Sequence, residues 1–277
     1  MAYVLALASA ALYGAADFLG GLAARTVNTI ATVVVSQAAG LLLLVLLIPF
    51  LPAAATRNDL LWGGASGLAG GIGVGLLYRA LAIGTMAVVA PTTAVCAVLI
   101  PVAAETIAGE RLGARTVAGI VLALVAIVLV SQQSTEARGT SGHKGLGLAI
   151  MSGVAIGFFF LALARTSADA GLWPLVAGRA VSVSLFLGFA VAGRQPLRMA
   201  ARPLAIVVGC GVIDMAANAL YLLATRRGAL SAVVTLASLY PASTVLLARV
   251  VLGERLTGRQ AVGIVSALVA VVLIVST

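Results

Sequence analysis

Apolar runs, each about as long as a bilayer is thick, follow one another along the whole chain, separated by short clusters of Gly, Pro, Arg, Asp and Asn. A helix needs roughly 20 apolar residues to traverse a hydrocarbon core about 30 Å thick. On that measure the runs predict helices over residues 2–22, 29–49, 60–82, 86–108 and 115–131, then 145–165, 172–192, 203–225, 229–252 and 259–276. Between the fifth and sixth runs lies the longest polar stretch, Gln132 to Lys144, whose Ser, Thr and Gly content reads as a linker. The chain therefore divides into residues 1–131, a linker at 132–144 and residues 145–277, with five predicted helices in each outer part.

Composition excludes a water-soluble fold: of 277 residues, 62% are hydrophobic and 9% charged, with mean hydropathy +1.18, whereas soluble domains carry about a quarter charged residues. The net charge of +9 does not point to nucleic acid, because Lys and Arg stand singly between apolar runs and form no basic stripe. They read as helix-end anchors and orientation signals. Ala8-Ser9-Ala10 mimics a signal-peptide cleavage site, but no basic residue precedes the apolar run, so residues 2–22 read as a first membrane helix. Cys96 and Cys210 lie inside apolar runs and imply neither a disulfide framework nor a metal site.

An internal repeat emerges when the sequence is shifted by 144 positions. Gly109-Glu110-Arg111-Leu112 then falls on Gly253-Glu254-Arg255-Leu256, Arg115 on Arg259, and Gly119-Ile120-Val121 on Gly263-Ile264-Val265. A shift of 140 sets Ala24-Arg25-Thr26 on Ala164-Arg165-Thr166. Five spans per half is an odd number, so the second half enters the membrane in the opposite sense to the first. Transporters use such inverted repeats to hold a solute near the midplane. Glu105 and Arg249, equivalent under the shift, belong near opposite faces and are not expected to pair.

The segments from Leu99 to Val130 and from Leu239 to Ile274, each with a Pro, a GER turn and a following Gly, resemble the two EamA repeats of the drug/metabolite transporter (DMT) superfamily. In size and layout the chain is similar to bacterial amino-acid exporters of the YddG type. The resemblance implies a ten-helix, all-α membrane permease of two inverted five-helix repeats around a central cavity. It also implies a multi-pass protein of the bacterial plasma (inner) membrane with both termini in the cytoplasm, although more Lys and Arg then fall in outer loops than the positive-inside rule favours. The cavity would be lined by the first, third and fourth helices of each half.

Ionisable residues inside a membrane are costly and so are functional candidates. Asp17 lies in the first helix and Arg179 in the seventh, where a guanidinium is suited to a carboxylate or else reaches for the interface. In the eighth, Asp214, Asn218 and Tyr221 share a face at helical spacing, as a polar cavity wall or an interhelical network. Gln37 is a neutral candidate, while Tyr78 and Arg79 are rim candidates or interfacial anchors. Thr92, Thr93, Ser238 and Tyr240 flank prolines and are set either to contact solute or to bond their own helix. Gly70 and Gly73 in the glycine-rich third helix, with Pro91, Pro101 and Pro241, are hinge candidates. Glu110 and Glu254 read as turn-locking residues.

Together these features predict a secondary transporter exporting amino acids or related metabolites by alternating access, with protons as a possible coupling ion on Asp17 and Asp214. Drugs or other metabolites are the alternative cargo. No cofactor is expected, since no Walker A sequence occurs. An intramembrane enzyme is the rival of a different class: Gly64-Ala65-Ser66-Gly67 matches GxSG, yet the single histidine, His143, sits in the linker, away from any membrane serine.

Overall fold

The computed structural model describes residues 1–50, 53–84, 86–109, 112–130, 145–252 and 258–275. Every regular element among them is helical: α1 (Ala2–Ala24), α2 (Thr29–Leu47), α3 (Arg57–Ile83), α4 (Met86–Ile107), α5 (Ala114–Val130), α6 (Leu146–Ala164), α7 (Trp173–Ala192), α8 (Ala201–Thr225), α9 (Leu230–Ala237), α10 (Tyr240–Leu252) and α11 (Gly258–Val275). Short 3-10 turns lie at Ile48–Phe50 and Ala168–Ala170. Six segments, α1, α2 with its 3-10 turn, α3, α6, α7 and α8, are long and apolar enough to cross a membrane; shorter apolar stretches run through α4, α5, α9 with α10, and α11. The linker with its His143, Glu110 and Arg111 of the first GER turn and the whole second one with Glu254 lie outside the described residues, as do the side chains of Pro91 and Arg249.

The expected continuous helix at 229–252 is instead two helices. After α9 the backbone N–H groups of Ser238 and Leu239 bond back to the carbonyls of Val234 and Leu236, at 2.9 and 3.2 Å, which tightens and ends the helix. Pro241 disfavours helical geometry in the residue before it and sits in the first turn of α10, where an N–H is dispensable. In contrast, α4 stays one helix through Pro91 and Pro101.

The helices pack between the two halves of the chain more than within them. α1 lies along α8 and α3 along α6; α2 packs on α8 and α3 on α7; α4 meets α6 while α1 meets α9 and α10; α5 pairs with α11. Each of these contacts has a counterpart with the halves exchanged, which fits the two-repeat design. Close approach depends on small residues, as is usual between membrane helices. A Cβ at Gly67 in α3 would collide with the backbone of Gly178 in α7, and one at Gly211 in α8 with the Ser36 carbonyl in α2. Gly67 and Gly211 are related by the 144-residue shift.

The ends of the bundle are tied by polar contacts. At one end Thr56 and Asp59 form a capping box on α3, and the Asp59 carboxylate also accepts from the Ser167 N–H at 2.7 Å and from its hydroxyl at 3.0 Å. Arg226 donates to the Gly171 carbonyl at 2.7 Å, and Arg165 pairs with Glu105 at 3.1 Å. At the other end Asn28, which caps α2, donates to Gln195 at 2.7 Å. Asp59 is thus both a helix cap and an inter-half tie. Asp59→Ala is expected to cost about 1 to 2 kcal/mol through the lost cap and to lower the melting temperature in detergent, whereas Asp59→Asn should recover part of it.

Candidate functional site

The polar residues of six helices converge on one cavity in the middle of the bundle, with about 680 Å³ of empty space when its open mouth is included. Tyr13 and Asp17, one turn apart on α1, face it beside Gln37 of α2. The glycine-rich face of α3 contributes Ser66, Gly67, Gly70 and Gly71; a Cβ on Gly70 would press on the ring of Phe159. From the second half come Ile156, Phe159 and Phe160 of α6, Gly178, Arg179 and Ser182 of α7, and Asp214 and Asn218 of α8, with Tyr240 at the start of α10. Apart from Tyr240, the lining comes from the first three helices of each half. The second helices replace the expected fourth ones, because the glycine contacts of α2 on α8 and α3 on α7 draw the second helices inward.

The buried Arg179 guanidinium donates through Nη2 to Oδ2 of Asp214. The same oxygen accepts from Asn218 Nδ2 at 3.2 Å, and that nitrogen also donates to the Asp214 carbonyl at 2.7 Å. Tyr13 completes the chain by donating to Asn218 Oδ1 at 2.9 Å. Nearby, Ser182 donates to Gln37 Oε1 at 3.2 Å. Asp17 is half-buried and has no hydrogen-bond or ionic partner among the described residues. Arg179 and Asp214 balance each other as an ion pair, and Asp17 is a carboxyl group with no opposing charge beside it among the described residues.

Of the residues singled out in the sequence, Asp17, Gln37, Gly70, Arg179, Asp214, Asn218 and Tyr240 meet at the cavity; the other described ones lie elsewhere. Tyr221 is fully enclosed, donating to the Phe160 carbonyl at 3.1 Å while its ring packs on Phe160 at 4.6 Å. Tyr78 is buried with its hydroxyl 3.1 Å from Cys210 Sγ, and Arg79 is exposed. Thr93 donates to the Ala149 carbonyl at 3.2 Å, and Thr92 lies beside it on α4, away from the lining. Ser238, Pro101 and Pro241 are buried outside the cavity wall, and Gly73 takes its place in the contact with α6, its carbonyl accepting from Ser152 at 2.7 Å. Tyr13, Ser182 and the α6 aromatics gave no signal in the sequence that set them apart from packing residues, and Ser66 stood out only in the GxSG match; the one-turn spacing of Tyr13 and Asp17 is the signal that could have placed Tyr13 on the cavity face.

Helices long and apolar enough to cross a membrane thus surround an open, mostly apolar cavity that carries an ion pair and a few polar groups on its wall, an architecture suited to a membrane transporter. Residues 1–132 and 143–276 each match the model of the EamA-like transporter family, so the chain belongs to that family, whose members are membrane transporters and not enzymes. A crystal structure of a protein 18% identical to this chain superposes with a TM-score of 0.73 over 98% of this chain and 95% of its own; the likeness concerns the fold alone. No curated protein sequence matches.

Proposed function

We propose that this protein is a secondary transporter that exports amino acids or related small metabolites across the bacterial plasma membrane by alternating access, with residues 1–131 and 145–277 as its two inverted repeats. One observation carries the substrate reading: the cavity pairs Asp17, a carboxyl group without a partner among the described residues, with a guanidinium, Arg179, that the described residues engage through one nitrogen. Asp17 receives the amino group of the solute, and the open edge of Arg179 receives its carboxylate, the geometry a guanidinium fork suits best. Gln37 and Tyr240 contribute neutral hydrogen-bonding groups at the wall. In the empty cavity a proton on Asp17 replaces the ammonium charge, which makes Asp17 the coupling acid and Asp214 the permanent counter-ion of Arg179.

The test is uptake of a labelled amino-acid panel into proteoliposomes, with and without an imposed pH gradient, against empty vesicles. Saturable uptake of a subset, driven by the gradient in the wild type and both weakened and indifferent to the gradient in Asp17→Asn, is the expected result. Gradient-driven uptake that survives Asp17→Asn would remove Asp17 from the coupling role. The aromatic wall of Tyr13, Phe159 and Phe160 beside Asp17 favours a second cargo, compact organic cations, which aromatic faces and a carboxylate hold together. Amine uptake without amino-acid uptake would select that reading.

A further inference from the structure

Asp214 meets Arg179 through one contact, Nη2 to Oδ2, although carboxylates and guanidiniums pair more strongly through two parallel hydrogen bonds. Asn218 holds the carboxylate in this half-engaged position, since its Nδ2 donates both to Oδ2 and to the Asp214 carbonyl one turn back. The orientation of the Asn218 amide is itself set by the Tyr13 hydroxyl on its Oδ1. Asn218 and Tyr13 are buried, 4% and 8% exposed, so neither exchanges these partners freely for water. The remaining nitrogens of Arg179, Nε and Nη1, have no hydrogen-bond partner among the described residues, and Arg179 lines the cavity.

We propose that Asn218 and Tyr13 are positioning residues that hold Asp214 on one edge of Arg179 and thereby keep the other edge open for the carboxylate of the solute. The proposal rests on the reading of the solute as an amino acid. Without Asn218 the Asp214 side chain is free to turn and grip the guanidinium with both oxygens, which fills the place the solute needs. Asp214 is therefore a tethered competitor: Asn218, one turn along the same helix, restrains it, and Tyr13 of α1 braces Asn218 from across the interface between the halves.

The experiment measures binding of the common amino acids and of their carboxyl amides to purified full-length protein, by ligand-induced thermal shift over a concentration series. Asn218→Ala is expected to weaken binding of the amino acids about tenfold and leave the amides unchanged. Tyr13→Phe, which keeps the ring packed edge-on against Phe160 at a centroid distance of 6.1 Å, is expected to act in the same direction by a smaller factor and carries the test should Asn218→Ala not fold. Asp214→Asn moves the other way, tightening amino acids relative to amides, because the competitor loses its charge. Equal effects on acids and amides, or none, would overturn the positioning role while leaving the amino-acid reading intact. A wild-type protein that binds amides as well as or better than amino acids, or binds neither, would overturn the reading and the proposal together.

Discussion

Arg179→Met is expected to abolish amino-acid transport, with uptake at least about a hundredfold below wild type, and to destabilise the protein at the same time. Two effects combine. The proposed carboxylate site disappears, and Asp214, only 14% exposed at its side chain, keeps its bond from Asn218 but loses its counter-ion; removing one member of a buried ion pair typically costs about 3 to 5 kcal/mol. The effects separate in a double variant. Adding Asp214→Leu to Arg179→Met should recover most of the stability, since apolar replacements of whole buried pairs are often neutral or better, while transport stays lost. Melting temperatures of the two single variants and the double variant give the coupling energy of the pair. Uptake of Arg179→Met within a few-fold of wild type would exclude Arg179 from solute binding.

Gly67→Ala should be nearly as damaging, by a purely steric route. The added methyl group runs into the Gly178 carbonyl and Cα, which are backbone atoms and do not turn aside. α3 and α7 must separate, and overpacking of this kind costs about 1 to 3 kcal/mol or more. Because Gly178 adjoins Arg179, the displacement also pulls the guanidinium out of register with Asp214, so activity falls beyond what the lost stability accounts for. Gly211→Ala, which meets the Ser36 carbonyl, should behave alike at the related interface. Gly188 is the control: nothing lies within 4 Å of a Cβ there, and Ala at such a helical site is neutral or stabilising by up to about 1 kcal/mol. Thermal melts and size-exclusion profiles of the three variants decide the matter; a Gly67→Ala protein as stable as Gly188→Ala would refute the contact.

The helices were legible because hydropathy is a one-dimensional property, and membrane spans require long apolar runs. The polar centre was legible for a related reason: Asp17, Arg179 and Asp214 are too costly in hydrocarbon to stand there without a task, and Asn218 followed from its spacing to Asp214. Which helices line the cavity was not legible, since that depends on how closely α2 and α3 approach their partners in the other half, a matter of single glycines whose neighbours are over a hundred residues away. Tyr13 was hidden because an aromatic residue in an alanine-rich helix looks the same whether it packs or donates a hydrogen bond. Asp59 did carry a signal, the Thr56-x-x-Asp59 capping pattern, but its second task on Ser167 is a tertiary one. Tyr221 shows the reverse case, its helical spacing correct and its hydroxyl spoken for by the Phe160 carbonyl.

The interruption between α9 and α10 has a bearing on flux. Were the two halves interchangeable, the two forms of the proposed alternating-access cycle would be related by a two-fold rotation and equal in free energy, and the transporter would show the same half-saturation constant from both compartments. An unbroken α4 facing a divided α9 and α10 removes that degeneracy, and with it the equality of resting populations. Ser238, whose buried hydroxyl has no hydrogen-bond partner among the described residues, lies at that interruption. Kinetics measured from the two sides of an oriented vesicle should accordingly differ in apparent affinity, with the ratio of the two fixed by the conformational bias and not by the chemistry of the cavity.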